Sequence, residues 1–473
     1  CRASCLSWPG KSLLSRLLLL FVVLVAFPAM AREWFVSPEG DNALGDGSRA
    51  QPFRTVGHVL DTSIDLTKAG DTIILRKGVY HECDLRLRKR LSLRAETGES
   101  AHIQCDMQVK DSVVVQIDPE ASGSRVADLE LSGSMYYGIQ LQTDWYRGEG
   151  QQKTGASNIV LENLRIHDTG RDAIKITPKC DHVTIRNSEI WNTGAADPPG
   201  TPLERRNAEG IDNVGGSHML VEDNHIHDIA TTGLYFKGGA SDVLIQRNRI
   251  ENTGMAGILV GFDTSEEFFD LQANPEYYES IRAIVRNNIV RYTGYAGIGL
   301  YAARDAQVLN NTITDAGRLG HAAIYFGIPF QDWDAKAGRP PSVNPVIRNN
   351  LIVQDGGTCV EIRWTRELGG LSGLRGAPGT DYNGYQNRRG ACRFVDMRVD
   401  SPLRAGNLEE WQAHEHSDAH SLSADFKLDA QVRPGSQSPA IAAGIPIEVV
   451  KLDFDKRPRS GTNDLGALQS AKP

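Results

Sequence analysis

The chain has 473 residues, 47 of them glycine, and a formal charge of −8 at neutral pH. That length suits one long domain or two ordinary ones, and glycine-rich sequence with short apolar runs points to an all-β fold with many turns. The acidic balance argues against a nucleic-acid partner.

Residues 1–31 read as an export signal. Lys11 and Arg16 precede an unbroken apolar run from Leu17 to Phe27, then Pro28 and the small-x-small site Ala29-Met30-Ala31. The run is shorter than the ~20 residues of a bilayer-spanning helix. The expectation is therefore a secreted or periplasmic protein that begins near Arg32 and has no stable membrane insertion. Loss of the segment removes Arg2, Lys11 and Arg16 and no acid, taking the charge to −11.

Residues 32–70 form the expected N-terminal cap. Residues 33–38 read as a strand, and apolar residues at 53, 56, 59, 60, 64 and 66 have roughly helical spacing. A short helix there would cover the open edge of a sheet, and a monomer is expected. Five cysteines follow the signal, in a compartment where they can oxidise. Cys83 and Cys105 each precede an aspartate, 22 residues apart. Stacked on adjacent coils about 4.8 Å apart, they would lie within disulfide range. Cys359 and Cys392 are a second possible pair, and no Cys/His spacing resembles a zinc site.

From residue 71 short strands follow one another: TIIL, DLRL, LSLR, HIQC, VVVQI and ADLEL. From residue 156 a repeat is plain, in segments such as VLENLRIHDTG, TIRNSEIWNTG, LIQRNRIENTG and IVRNNIVRYTG. Their late apolar positions fall at 166, 190, 226, 250, 290, 313 and 352, a unit of about 23–24 residues with insertions at alternate turns. Each unit has an asparagine corner (Asn163, Asn187, Asn224, Asn248, Asn287/Asn288, Asn310/Asn311, Asn349/Asn350), and asparagine tolerates left-handed backbone. Each also has a second strand: AIKI, GIDN, GLYF, GILV, GIGL, AIYF and CVEI. Such a unit cannot bury its own face, so neighbours must stack. A parallel β-helix over 71–366 is predicted, right-handed as parallel connections are. A leucine-rich solenoid and a propeller fit the spacing less well. Residues 367–473 read as loops, a short helix LEEWQAHEH capped by Asn407, and closing strands that shield the last coil.

Pleating of the second strands puts outward side chains in two columns. One runs Lys175, Asp212, Tyr235, Leu259, Gly299, Tyr325, Glu361; the other runs Thr177, Val214, Lys237, Gly261, Tyr301, Gly327, Arg363. Asp172 and Glu209 precede their strands by a turn, so alternation leaves their direction open. Insertions at 194–208, 262–280 and 327–344 join the ends of these strands and can wall a groove, with Phe268, Phe269, Tyr277, Tyr278 and Trp333 as sugar-stacking rings. His225, His227/Asp228 and His167/Asp168 fall at corners, where hydrogen bonding is expected.

These residue types suit β-elimination of a uronic acid. That reaction needs a neutralised carboxylate and a base for the adjacent proton. Asp172, Glu209 and Asp212 are candidate Ca²⁺ ligands, because hard oxygens suit that ion. Lys237 is the candidate base. Lys175 or Arg363 would hold another carboxylate, and Tyr235, Tyr301, Tyr325 and Glu361 would contact an anionic polysaccharide. A glycoside hydrolase using paired acids and a non-catalytic polysaccharide-binding solenoid are the alternatives.

The segments WFVSPEG, GDGSRAQPFRTV and AGDTIILRKGVYHE, with SPAIAAG and DFDKRPRSGTNDLGALQ near the other end, resemble secreted pectate-lyase-like β-helix proteins. EGID followed one coil later by GLYFKGG is similar to polysaccharide lyase family nine. The resemblance implies a Ca²⁺ cluster at Glu209 and Asp212, with Asp172 from the coil before, and a lysine base at Lys237. Ala208 and Glu209 replace the first two aspartates of that family's cluster, and Lys237 lies two places later in its strand.

Overall fold

Short apolar segments that alternate inward and outward can be buried only by stacking on copies of themselves, and the chain does this throughout. The structure is a computed structural model, and it describes residues 31–146, 152–329, 340–366, 370–398, 402–459 and 463–470. The expected export signal lies almost wholly outside the described residues, as does Trp333. Three sheets of twelve strands each take every third main strand of the chain, so each coil gives one strand to each sheet. The inward column Ile185, Val221, Ile245, Val285, Val308 shows how completely one sheet is buried on its inner side. Among the described residues, no helix is long and apolar enough to cross a membrane.

The solenoid is longer than 71–366. Glu33–Val36 already pairs in parallel with Thr72–Leu75, and Gly384–Asn387 and Arg393–Asp396 continue two sheets past residue 366. The α-helix near the N-terminus spans only Val56–Leu60. An Asp61 side chain that accepts from the Ser63 amide at 2.8 Å turns the chain there. Val56 and Val59 plug the first coil. At the other end, Asn407 and Glu410 form a capping box on the helix Leu408–Glu415, whose Trp411 is buried against Phe394.

The tail does more than cover the last coil. Phe426, Ala440 and Leu465 pack on Leu351 and Val353, and Ala467 and Leu468 pack on Ile289. Arg459 donates to Asn287 Oδ1 at 3.0 Å, so the tail runs back along the outside of the solenoid. The reason is that the outward positions Ile289, Leu351 and Val353, in the sheet that continues through Gly384–Asn387, are apolar and need cover.

The asparagines divide into two roles. Asn163, Asn187, Asn287, Asn310 and Asn349 hold the left-handed corners. Asn224 and Asn248, expected there too, instead point inward, and Asp223 (φ 58°) and Arg247 (φ 54°) take the left-handed position before them. The inward residues form a ladder. Asn248 Oδ1 accepts from the Asn224 amide at 3.1 Å, Asn288 Oδ1 from the Asn248 amide at 2.9 Å, and Asn311, Asn350 and Asn383 repeat the contact. These bonds satisfy backbone groups at a corner where no sheet partner exists. Cys83–Cys105 and Cys359–Cys392 are both disulfides, with Cα separations of 4.7 and 5.8 Å, and Cys180 is a buried thiol.

Candidate active site

The outward columns stack as the pleat requires. Strand register aligns Lys175 with Asp212, Asp212 with Tyr235, Tyr235 with Leu259, and so on to Tyr325 with Glu361. Val214 aligns with Lys237 and Tyr301 with Gly327. The positions before the strands form a further column: the Gly138 amide donates to Asp172 O, and Ala173 to Glu209 O. That column opens to the same side as the first, because Asp172, Glu209 and Asp212 bring carboxylate oxygens within 4.8 Å of one another.

All three acids are buried, at 0, 6 and 1 % exposure. Glu209 N donates to Asp172 Oδ1 at 3.0 Å. The Asn207 amide, oriented to satisfy its neighbours, donates to Glu209 Oε2 at 2.8 Å and Asp172 Oδ1 at 3.3 Å. Lys175 bonds Asp212 Oδ2 and lies 4.0 Å from Asp172 Oδ2. Its amine is therefore paired with the acids. Among the described residues, no donor meets Asp172 Oδ2 or Asp212 Oδ1 in hydrogen-bonding geometry, while the Tyr235 hydroxyl reaches the Asp212 carboxylate. Burial, then the Asp212 charge, push Asp172 up to about 6. Burial and the charges of Asp172 and Asp212 push Glu209 well above the usual carboxylate range. Three carboxylates against one ammonium leave two negative charges when ionised. Donor-less buried oxygens and that surplus fit a hard divalent cation.

A pH dependence follows for the metal-free protein. A carboxyl held higher in the folded chain than in the unfolded one contributes stability that is full below about pH 4. Asp172 loses that contribution as pH rises through about 6. In chelator, the denaturant midpoint of the wild type should fall between pH 4 and 6, and Asp172→Asn should flatten that part of the profile.

Lys237 ends the strand Leu234–Lys237, with its amine 4.4 Å from the Tyr235 ring centre and 5.6 Å from that of Phe262. Its charge acts on Glu209 and on buried Glu279. Lys237 and Lys175 line one cleft of about 190 Å³ with Trp145, Val214 and Phe268. Trp145 meets Phe268 edge-on, with ring centres 5.9 Å apart. A larger hollow of about 630 Å³, lined by Thr193, Asp228, Tyr292 and Arg318, lies elsewhere and includes none of the three acids.

Several expected contacts are rearranged. Tyr235, Tyr301 and Tyr325 are 3, 6 and 4 % exposed. They pack with Leu259, Ala256 and Ala296 into a second apolar layer outside the sheet, and Phe262 from the 262–280 insertion wedges between Tyr235 and Tyr301. Their faces are covered and do not stack on sugars. Glu361 and Arg363 stand near each other, but five strand steps separate Glu361 from Asp212, about 24 Å at sheet spacing. Arg363 therefore lies too far off to act at the acids. Phe269 pairs with Tyr277 and Tyr278 lies under Arg304, while Phe268 does reach the cleft. Tyr137, Trp145, Asn207 and Phe262 were not singled out from the sequence. Tyr137 was legible, since it precedes its strand as Asp172 and Glu209 precede theirs, and burial and the Asp172 charge raise its hydroxyl.

The sequence of residues 120–326 matches the family model described as "Right handed beta helix region". The fold is a right-handed parallel β-helix. Solved structures agree at low identity. A pectate lyase, Pel9A, is 14% identical, with a TM-score of 0.55 over 93% of this chain and 96% of its own. XylC in complex with xylose is 12% identical, with a TM-score of 0.55 over 93% and 99%. The A-module of the Azotobacter vinelandii mannuronan C-5 epimerase AlgE6 is 15% identical, with a TM-score of 0.53 over 78% and 94%. A search of curated protein sequences finds no match. At these identities the likeness is one of β-helix architecture.

Proposed function

We propose that this protein is an exported polysaccharide lyase that cleaves an anionic, uronic-acid-containing polymer by β-elimination. The observation that carries the reading is a buried nest of three carboxylates with donor-less oxygens beside a cleft that a lysine lines. Asp172, Glu209 and Asp212 would hold Ca²⁺, and the bound ion would neutralise the substrate carboxylate and so acidify the adjacent C–H. Lys237 takes the proton from the carbon beside that carboxylate. The electron pair left behind forms a carbon–carbon double bond, the glycosidic C–O bond one carbon further on breaks, and the departing oxygen gains a proton. Lys237 stands one strand over and two residues on from Asp212, about 8 Å between Cα atoms. That span accommodates one sugar ring. Lys175 offsets part of the acids' charge, and Trp145 and Phe268 offer apolar surface at the cleft.

A second reading, a glycoside hydrolase, draws on the raised carboxyl of Glu209, which suits a general acid. Incubation with uronic-acid polymers, with and without chelator, separates the two. New ultraviolet absorbance from unsaturated ends, abolished by chelator and restored by Ca²⁺, is the expected result. Reducing ends without that absorbance would favour the hydrolase. Neither signal on any uronate polymer would leave a binding protein.

A further inference from the structure

The sheet that carries Ile289 and Leu351 also bears a separate group of histidines and acids on its outer face. Register aligns Glu189 with His225 and Trp191 with His227 on adjacent coils. Glu189 Oε1 lies 3.5 Å from His227 Nε2 and 3.9 Å from His225 Nδ1. The far nitrogens are already committed: His227 Nδ1 meets Asp228 Oδ2 at 2.7 Å, and His225 Nε2 meets Glu251 Oε2 at 3.4 Å. His227 Nε2 is buried and has no hydrogen-bond partner among the described residues.

A carboxylate behind each imidazole, with the near nitrogens turned toward a shared carboxylate oxygen, is the arrangement that orients histidines for a metal. The ligand atoms of a tetrahedral zinc lie about 3.3 Å apart, given bond lengths of about 2.0–2.1 Å. The two separations from Glu189 need little adjustment to meet that, and all three ligand atoms lie within 4.8 Å of one another. The two other His/acid groups among the described residues have their carboxylates tied to arginine. Glu130 accepts from Arg165 Nη1 at 2.6 Å, whereas Glu189 lies 3.6 Å from the same side chain. Around His414, Arg398 ties up both Asp396 and Glu415.

We propose that Glu189, His225 and His227 bind one borderline divalent transition ion of the Zn²⁺ class, with Asp228 and Glu251 as positioning residues and a fourth position open to solvent. The ion would staple the coil of Glu189 to that of His225. Two imidazoles and one carboxylate select against Ca²⁺, which prefers oxygen.

Calorimetric titration of the tag-free full-length protein with Zn²⁺, in excess Ca²⁺, tests this. One Zn²⁺ per chain is expected, with a rise in melting temperature by mass action. Glu189→Gln and His227→Ala should each weaken binding by about 100-fold or more, and Asp228→Asn by about 10–100-fold. His102→Ala should leave binding unchanged. Cu²⁺, which binds such sites more tightly, should quench Trp191, whose ring is parallel to that of His227 with centres 5.9 Å apart, and Trp191→Phe should remove that component. Absence of Zn²⁺ binding at micromolar concentrations would overturn the site. So would binding that survives both Glu189→Gln and His227→Ala. Glu189→Gln keeps the side chain's shape, so it decides the matter even if His227→Ala folds poorly.

Discussion

Lys237→Ala should remove eliminase activity on a uronic-acid polymer, with kcat down about 10²–10⁴-fold, the range that a positioned base supplies. Its thermal unfolding should stay close to wild type. The side chain ends its strand outside the core and lines the cleft, so its loss opens no cavity in the solenoid. Lys237→Arg sharpens the test. Arginine keeps the positive charge near Glu209 and Glu279 but stays protonated at working pH, so it cannot accept the proton. If the residue only attracted an anionic polymer, arginine would restore activity. If it is the base, arginine fails as alanine does, while substrate affinity is largely kept. Full activity in Lys237→Ala would refute the assignment.

Asp212→Ala should be costly twice over. The carboxylate is 1 % exposed and bonds the Lys175 amine. Removing it leaves the buried Lys175 amine short of a hydrogen-bond partner, a loss of about 1–3 kcal/mol, while Asp172 Oδ2, 4.0 Å from the same amine, still offsets its charge. Ca²⁺-dependent activity should vanish as well. The double variant Lys175→Met/Asp212→Leu removes both charges but leaves Asp172 and Glu209 buried without the ammonium that faces Asp172, so it should regain stability only at a pH low enough to keep both acids protonated. It should not regain activity. Denaturant midpoints beside activity assays separate the two effects. A double variant that recovers activity along with stability would show that Asp212 serves only to pair with Lys175.

The fold was legible because a stacked coil repeats its own constraints. A period of about 24 residues, apolar alternation and turn residues at fixed offsets specify which residues neighbour one another across coils. The register from Lys175 to Glu361 follows from them, as do the Cys83–Cys105 disulfide and the Asn407 cap. The two kinds of corner asparagine were not legible, because both lie at the same turn and only the corner backbone decides which one points inward. The path of the tail was not legible either. It depends on apolar positions such as Ile289 and Leu351, which local pattern assigns equally to a solvent face or a covered one.

The same division runs through the site. The sequence by itself determined the side of the sheet from which Asp212, Tyr235 and Lys237 leave the backbone, because pleating alternates with a period of two whatever lies above it. Only the tertiary structure decided what lies above. Phe262 covers Tyr235 and Tyr301, His321 stacks on Tyr325, Asn207 reaches the acids, and the Lys175 charge is met by Asp212. Direction is a local property of the strand, whereas exposure and charge pairing depend on insertions and neighbouring coils that the chain supplies dozens of residues away.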